Sequence, residues 1–217
     1  MENYTHILFD LDGTLTDSEE GIINALKYAL DKASISENDT DKLRSFIGSA
    51  LLKTLQEVYV ISQERAEEIA SYYRDYYTEK GIYENKLYPG VPELLSDLKK
   101  NGKYIILATS RKTTGAQGVL DIYQLNEYFD LVVGGSPDGK ISEKTDVIRH
   151  VFTKTGNDIK KSAVMIGDRK FDILGAREND IDSIAVMYGY ATKDEIDEAK
   201  PTYRVNTVEE LKSFLLD

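Results

Sequence analysis

Seven side chains in this sequence have types and spacings suited to chemistry, and they fall in four clusters: Asp10 and Asp12, Thr109 and Ser110, Lys144, and Asp168 with Asp172. Carboxylates gathered within a few ångströms raise one another's pKa, so such a group is cheap only around a cation. The ion that suits them is hard and oxygen-seeking. Mg²⁺ takes one or two carboxylates and fills its other positions with water and phosphate oxygens, which matches Asp10 and Asp168. The ammonium and the hydroxyls add donors able to grip an anionic group. The formal net charge is −11, and a diffuse negative field repels nucleic acid and anionic membranes, so neither is an expected partner. If the substrate is itself anionic, the ion and Lys144 must supply the local positive potential.

To meet, these residues must stand at one edge of one sheet. Five short apolar runs read as buried parallel strands: Ile7 to Asp10, Tyr104 to Thr109, Leu131 to Val133, Ala163 to Ile166 and Ser183 to Val186. Helical patterns alternate with them. Val91 to Lys100 opens after Pro89-Gly90 and stops at Asn101-Gly102; Thr114 to Tyr123, Glu143 to Thr155 and Phe171 to Asn179 follow. The alternation predicts an α/β fold, a doubly wound parallel sheet of the Rossmann-like kind, whose ligands collect at the carboxyl ends of the strands. Between Thr16 and Leu87 the alternation breaks. Apolar residues recur there at helical spacing (Ile22, Ile23, Leu26, Ala29, Leu30; Leu51, Leu52, Leu55, Val58) with no convincing strand. The expected organisation is a core of residues 1–15 and 89–217 with an inserted α-helical cap, residues 16–88.

With 217 residues, 41% of them hydrophobic and 30% charged, the chain has the composition of a soluble globular protein. It contains no Cys, which excludes disulfides, thiolate zinc sites and a cysteine nucleophile. No run approaches the roughly 20 apolar residues of a membrane span, and the N-terminus lacks a signal-peptide pattern. A cytoplasmic protein, monomer or homodimer, is expected.

The motifs Asp10-x-Asp12-Gly13-Thr14, Thr109-Ser110, Lys144 and Gly167-Asp168-x-x-x-Asp172, in that order, resemble those of the haloacid dehalogenase-like hydrolase superfamily, phosphatase branch, over essentially the whole chain. Thr14 to Ser18, Phe46-Ile47-Gly48, Glu79 to Tyr83 and Asp138-Gly139-Lys140 resemble phosphoglycolate phosphatases and, more closely, a bacterial 5′-nucleotidase-like group. The resemblance implies that Asp10 attacks phosphorus to form an aspartyl phosphate, while Asp12 serves as acid and then base and titrates above an exposed Asp. Thr109 and Lys144 would stabilise the transferring group. Mg²⁺ would be held by Asp10, Asp168 and the Asp12 carbonyl, with Asp172 a supporting partner. Ser110, Gly48 and Arg44 would contact a small phosphorylated substrate, the last two from the cap. A nucleoside 5′-monophosphate ranks slightly ahead of 2-phosphoglycolate. Pyrophosphate hydrolysis, phosphosugar mutation and a non-catalytic binding role stay open behind them, whereas Asp12 and Asp168 argue against dehalogenation.

Two residues depart from the family pattern. Arg111 stands where relatives often have Lys, which keeps the charge and changes the geometry. Asp180 stands where they usually have Gly, with a small expected stability cost. His6 and His150 receive no role, and Tyr72, Tyr73, Tyr76, Tyr77, Tyr83 and Tyr88 are assigned to cap packing.

Overall fold

In a computed structural model of the chain, which describes residues 4–216, the elements run in chain order as follows. The first strand is β1 (His6–Phe9); β2 (Thr16–Asp17), α1 (Glu19–Lys32), α2 (Thr40–Arg44), α3 (Leu51–Tyr59), α4 (Gln63–Glu79) and β3 (Lys86–Leu87) come next. They are followed by α5 (Val91–Lys100), β4 (Tyr104–Lys112), α6 (Thr113–Ile122), β5 (Leu131–Gly135), α7 (Lys144–Thr155), β6 (Ala163–Gly167) and α8 (Lys170–Glu178). The chain closes with β7 (Asp182–Val186), α9 (Lys193–Ala199), β8 (Tyr203–Val205) and α10 (Val208–Leu216).

Six strands pair in the order β5-β4-β1-β6-β7-β8, all parallel. After β1 the chain builds one side of the sheet through β4 and β5, then crosses to build the other through β6, β7 and β8. The order reverses at β1, and a crevice opens there beyond the carboxyl ends of the strands. Ile7, Leu8 and Phe9 are fully buried because helices cover both faces: Ile7 and Phe9 pack with residues of α5, α6 and α10, and Leu8 with those of α7 and α8. The expected parallel sheet is thus present. It has one strand more than the apolar runs suggested, since β8 is only three residues long.

The predicted bounds of α5 coincide with the observed ones. Gly90 at φ 88° supplies the left-handed residue before it, a conformation that favours glycine. Asp180 adopts φ 59° after α8, the left-handed region in which a small stability cost was expected.

Between β1 and α5, helices α1 to α4 form a separate apolar cluster, with Leu26, Leu43, Ile47, Leu55 and Ile69 at its centre. The chain enters and leaves this block side by side: β2 and β3 pair antiparallel, Thr16 with Leu87 and Asp17 with Lys86. Among the described residues, no helix is long and apolar enough to cross a membrane.

Candidate active site

Asp10 follows β1, its backbone N–H bonded to the Ile166 carbonyl of β6 at 2.9 Å. Asp168 follows β6, and Asp172 lies in the first turn of α8. Carboxylate oxygens of the three lie within 4.8 Å of one another, all buried. Lys144, the first residue of α7, enters from the side: its Nζ is 2.7 Å from Asp10 Oδ1 and 2.8 Å from Asp172 Oδ1, and it donates to the Ala108 carbonyl at 2.9 Å. The other Asp172 oxygen accepts from the Arg169 N–H at 3.1 Å, and Asp168 Oδ2 accepts from the Tyr190 N–H at 2.8 Å. Three buried carboxylate oxygens here have no hydrogen-bond partner, Asp10 Oδ2, Asp168 Oδ1 and Asp172 Oδ1; the last still faces Lys144, which leaves those of Asp10 and Asp168 as the orphaned pair.

One ammonium against three carboxylates leaves two negative charges uncompensated in a dry place. Ionising the whole group is therefore costly. Burial, reinforced by Asp172 and Asp12 and opposed by Lys144, pushes Asp10 up to about 7. Burial and the neighbouring Asp172 and Asp10 push Asp168 well above the carboxylate range. Burial alone would lower Lys144, yet Asp10 and Asp172 hold it raised and charged. A divalent, oxygen-seeking cation between the two orphaned oxygens would satisfy both and neutralise the excess, so the donor set fits Mg²⁺.

The glycine of the first motif has a steric duty. At Gly13, φ 85°, an added Cβ would lie 2.2 Å from Asp168 Oδ2; Gly189 is as close to the Asp168 Cβ. Asp168 is therefore clamped between two glycines from opposite ends of the chain, and any side chain at either would push it out of place.

The edge beyond β4 is irregular. β4 pairs with β5 up to Ala108 opposite Val133, and pairing resumes only at Lys112 opposite Gly135. Thr109, Ser110 and Arg111 bulge out of the ladder between, which re-aims their side chains. Thr109 is buried beside the site; its Oγ1 accepts from the Arg111 N–H at 3.2 Å, which leaves the hydroxyl proton to be donated. Arg111 reaches across to Asp12, donating from Nε to Oδ2 at 2.9 Å and from Nη2 to Oδ1 at 2.7 Å. Ser18 Oγ donates to the same Oδ1 at 2.6 Å.

Above these residues lies a crevice of about 400 Å³ between core and helical block. Asp12, Thr109, Ser110 and Arg111 line it from the core; Phe46, Gly48, Leu51, Tyr73 and Tyr77 line it from the helices. Gly48 and Ser110 therefore both line this crevice. Arg44 is not among the lining residues. It pairs with Glu19 at 2.6 Å and Asp41 at 3.0 Å on the surface, so two neighbouring carboxylates occupy its guanidinium. The tyrosines divide: Tyr77 is buried against its stacked neighbour Tyr73 at the crevice, whereas Tyr83 is 69% exposed.

Sequence reasoning missed two residues. Tyr190 accepts through its hydroxyl from the N–H groups of Ser18 and Glu19 at 2.7 and 3.1 Å and donates to Asp17 at 2.8 Å, tying the Asp168 loop to the start of α1. Arg169 donates from Nη1 to the Ile47 carbonyl in the helical block at 2.5 Å and from Nε to Glu195 at 2.8 Å. The Gly167-Asp168-Arg169 order was the only available signal for the second, and nothing marked the first.

A parallel sheet that brings carboxylates, a buried ammonium and a hydroxyl to its switch point makes an α/β site able to hold a cation and an anionic group together. The family model for haloacid dehalogenase-like hydrolases matches residues 7–186, and the chain belongs to that family. It is 36% identical to a 5′-nucleotidase of Pseudomonas aeruginosa over 98% of this chain and 96% of that one. It is 33% identical to the tyrosine-protein kinase PtkA of Mycobacterium tuberculosis over 96% of this chain and 72% of the other. The crystal structure of a predicted phosphatase from Clostridium acetobutylicum superposes with a TM-score of 0.94, at 43% identity and with 98% of both chains covered. The protein is an enzyme, a phosphatase of this family.

Proposed function

We propose that the chain hydrolyses small organic phosphate monoesters with Mg²⁺ bound between Asp10, Asp168 and the Asp12 carbonyl, a nucleoside 5′-monophosphate being the favoured substrate. The observation that carries the reading is the pair of orphaned oxygens on Asp10 and Asp168 beside a fully engaged Lys144. When bound, the ion supplies charge neutralisation for Asp10 and for the phosphate oxygens.

The chain's own residues account for the rest. Asp10 attacks phosphorus in line; the bond from phosphorus to the ester oxygen breaks, and its electron pair leaves on that oxygen, which takes a proton from Asp12. Water then attacks the aspartyl phosphate and gives a proton to Asp12, releasing phosphate and restoring Asp10. Lys144 and the Thr109 hydroxyl hold the transferring group, and Ser110 adds a contact at the strand edge. Asp172, both of whose oxygens are engaged, steadies Lys144 and the start of α8. Residues 16–88 act as a cap that excludes water and shapes the leaving-group pocket, and residues 1–15 with 89–217 act as the catalytic core.

The nucleoside reading is supported by the similarity to the Pseudomonas enzyme and by a crevice whose volume and aromatic lining exceed what a glycolate group would fill. Phosphate release over a panel of nucleoside monophosphates, 2-phosphoglycolate, sugar phosphates and pyrophosphate, with Mg²⁺ and with chelator, tests it. Metal-dependent release, highest on a nucleotide and abolished in Asp10→Asn, is expected. Release in the presence of chelator, or undiminished in the variant, would sink the mechanism; a preference for 2-phosphoglycolate would overturn the substrate.

A further inference from the structure

We infer that the substrate carries a second phosphate on its ribose, which Arg74 and Lys112 receive beyond the transferring phosphoryl group; this rests on the nucleoside 5′-monophosphate reading above and narrows it.

The charge around the crevice points to a second anion. The protein has a formal net charge of −11, yet the crevice is lined by three cations, Arg74, Arg111 and Lys112, and by one carboxylate, Asp12. Arg111 holds that carboxylate through two hydrogen bonds, so the pair is neutral within itself. Two positive charges remain. Among the described residues neither Arg74 nor Lys112 is in an ion pair; the Lys112 ammonium donates to the Pro137 carbonyl at 3.3 Å. The acids of the loop that borders the crevice are taken, Glu143 by Lys53 at 2.7 Å and Asp138 by Lys140 at 3.3 Å. An anion entering here meets unopposed positive potential.

Position decides which anion fits. On α4, Ala70, Tyr73, Arg74, Tyr77 and Thr78 all line the crevice, the spacing of one helix face, so Arg74 belongs to the wall above the leaving group. Lys112 ends β4, three residues past Thr109, which extended backbone places up to about 10 Å farther along the edge. The transferring phosphoryl group is held before that point, by Thr109 and Lys144. A carboxylate one carbon from the ester oxygen stops short of Lys112, as does a phosphate joined directly to that oxygen. A ribose carries its other hydroxyls several bonds from the 5′ oxygen, and a phosphate on one of them spans the gap. Phe46, Leu51, Leu52 and Tyr73 offer the apolar surface that a base would cover.

Steady-state kinetics on adenosine 5′-monophosphate, adenosine 3′,5′-bisphosphate and adenosine 2′,5′-bisphosphate, with the nucleotide product identified, test the assignment. Wild type should prefer one bisphosphate by about 10-fold or more in kcat/KM, chiefly through KM, and leave the 3′- or 2′-monophosphate as product, which tells the two ribose positions apart. Arg74→Gln and Lys112→Gln should each cut that preference by about 3–10-fold, and Arg74→Lys by less. Both side chains are exposed, so neither change threatens the fold. The preference should also shrink as salt rises from about 0.05 to 0.5 M, because exposed charges are screened. Equal rates on all three nucleotides, a preference for the monophosphate, or a preference that both glutamine variants leave intact would overturn the inference while leaving the phosphatase reading standing. Highest activity on 2-phosphoglycolate would overturn it together with the nucleoside reading, and no metal-dependent release from any ester would overturn the phosphatase reading as well.

Discussion

The buried acids at the switch point give the clearest consequence of a single residue's environment. Asp10 titrates near 7 in the folded protein against an ordinary 3.8, chiefly because it is buried. Between those values the folded state holds a proton that the unfolded chain has released, so in the absence of metal this group's contribution to stability is full below about pH 4 and is lost as pH rises through about 7. Asp168, raised for the same reason, acts in the same direction. Mg²⁺ binds the deprotonated pair and competes with those protons. Melting temperatures measured with chelator and with Mg²⁺ should therefore diverge as pH rises from 5 to 8, the metal stabilising far more at pH 8. A metal-induced shift that is the same at both pH values would contradict the assignment of the cation to these two residues. At this scale the sequence was informative because the chemistry resides in types and order: Asp10, Asp12, Thr109, Lys144 and Asp168 do converge. Arg44 did not, since proximity to a predicted loop says nothing about direction, and Arg111 was noticed only as a substitution because its partner Asp12 is 99 residues away in sequence.

Elements were legible where period and punctuation agreed. α5 follows Pro89-Gly90 and ends before Asn101-Gly102, so its bounds could be read directly. β8 was invisible because Tyr203–Val205 is too short to show a period and, as the edge strand, pairs only with β7. The joint between core and helical block was equally hidden. Each of its strands has two residues, and the side chain that fastens it comes from Tyr190, 172 residues after Ser18. That hydroxyl occupies the N–H groups that begin α1, in place of the side-chain cap Ser18 does not provide. Tyr190→Phe should cost about 1 kcal/mol of stability, the usual worth of a lost helix cap, and should raise KM by loosening the joint. Chemical denaturation and steady-state kinetics check both; unchanged values would mean that Tyr190 is only packing.

For the whole molecule, the apolar cluster of α1 to α4 is distinct from those on the two faces of the sheet, and we propose that core and helical block fold as two bodies joined at one ribbon. Because Asp17 and Lys86 are antiparallel partners, residues 18–85 can be replaced by an Asn-Gly turn, the tightest connection such strands accept. The shortened chain should fold cooperatively, since its clusters on both faces of the sheet draw little on α1 to α4, and should bind Mg²⁺. It should lose most of its activity, having lost the helices that shape the leaving-group pocket. A melting curve monitored by circular dichroism, run with and without Mg²⁺, checks the first two points, and failure to fold would show that the block is part of the core. The sheet and the helical insertion were both readable from the sequence, because burial on two faces leaves continuous apolar runs and an insertion interrupts them. The closure of one body upon the other was not, because it depends on pairs such as Arg111 with Tyr77 and Lys53 with Glu143 that no local pattern announces.

Arg169 fastens the helical block to the core. It follows Asp168 directly in the chain, and its guanidinium grips the Ile47 carbonyl beside Gly48, whose missing side chain leaves room for the Arg169 stem. Lifting the helices must break that grip next to the residue that would hold the ion. The helical block is thus anchored to the core one residue away from Asp168.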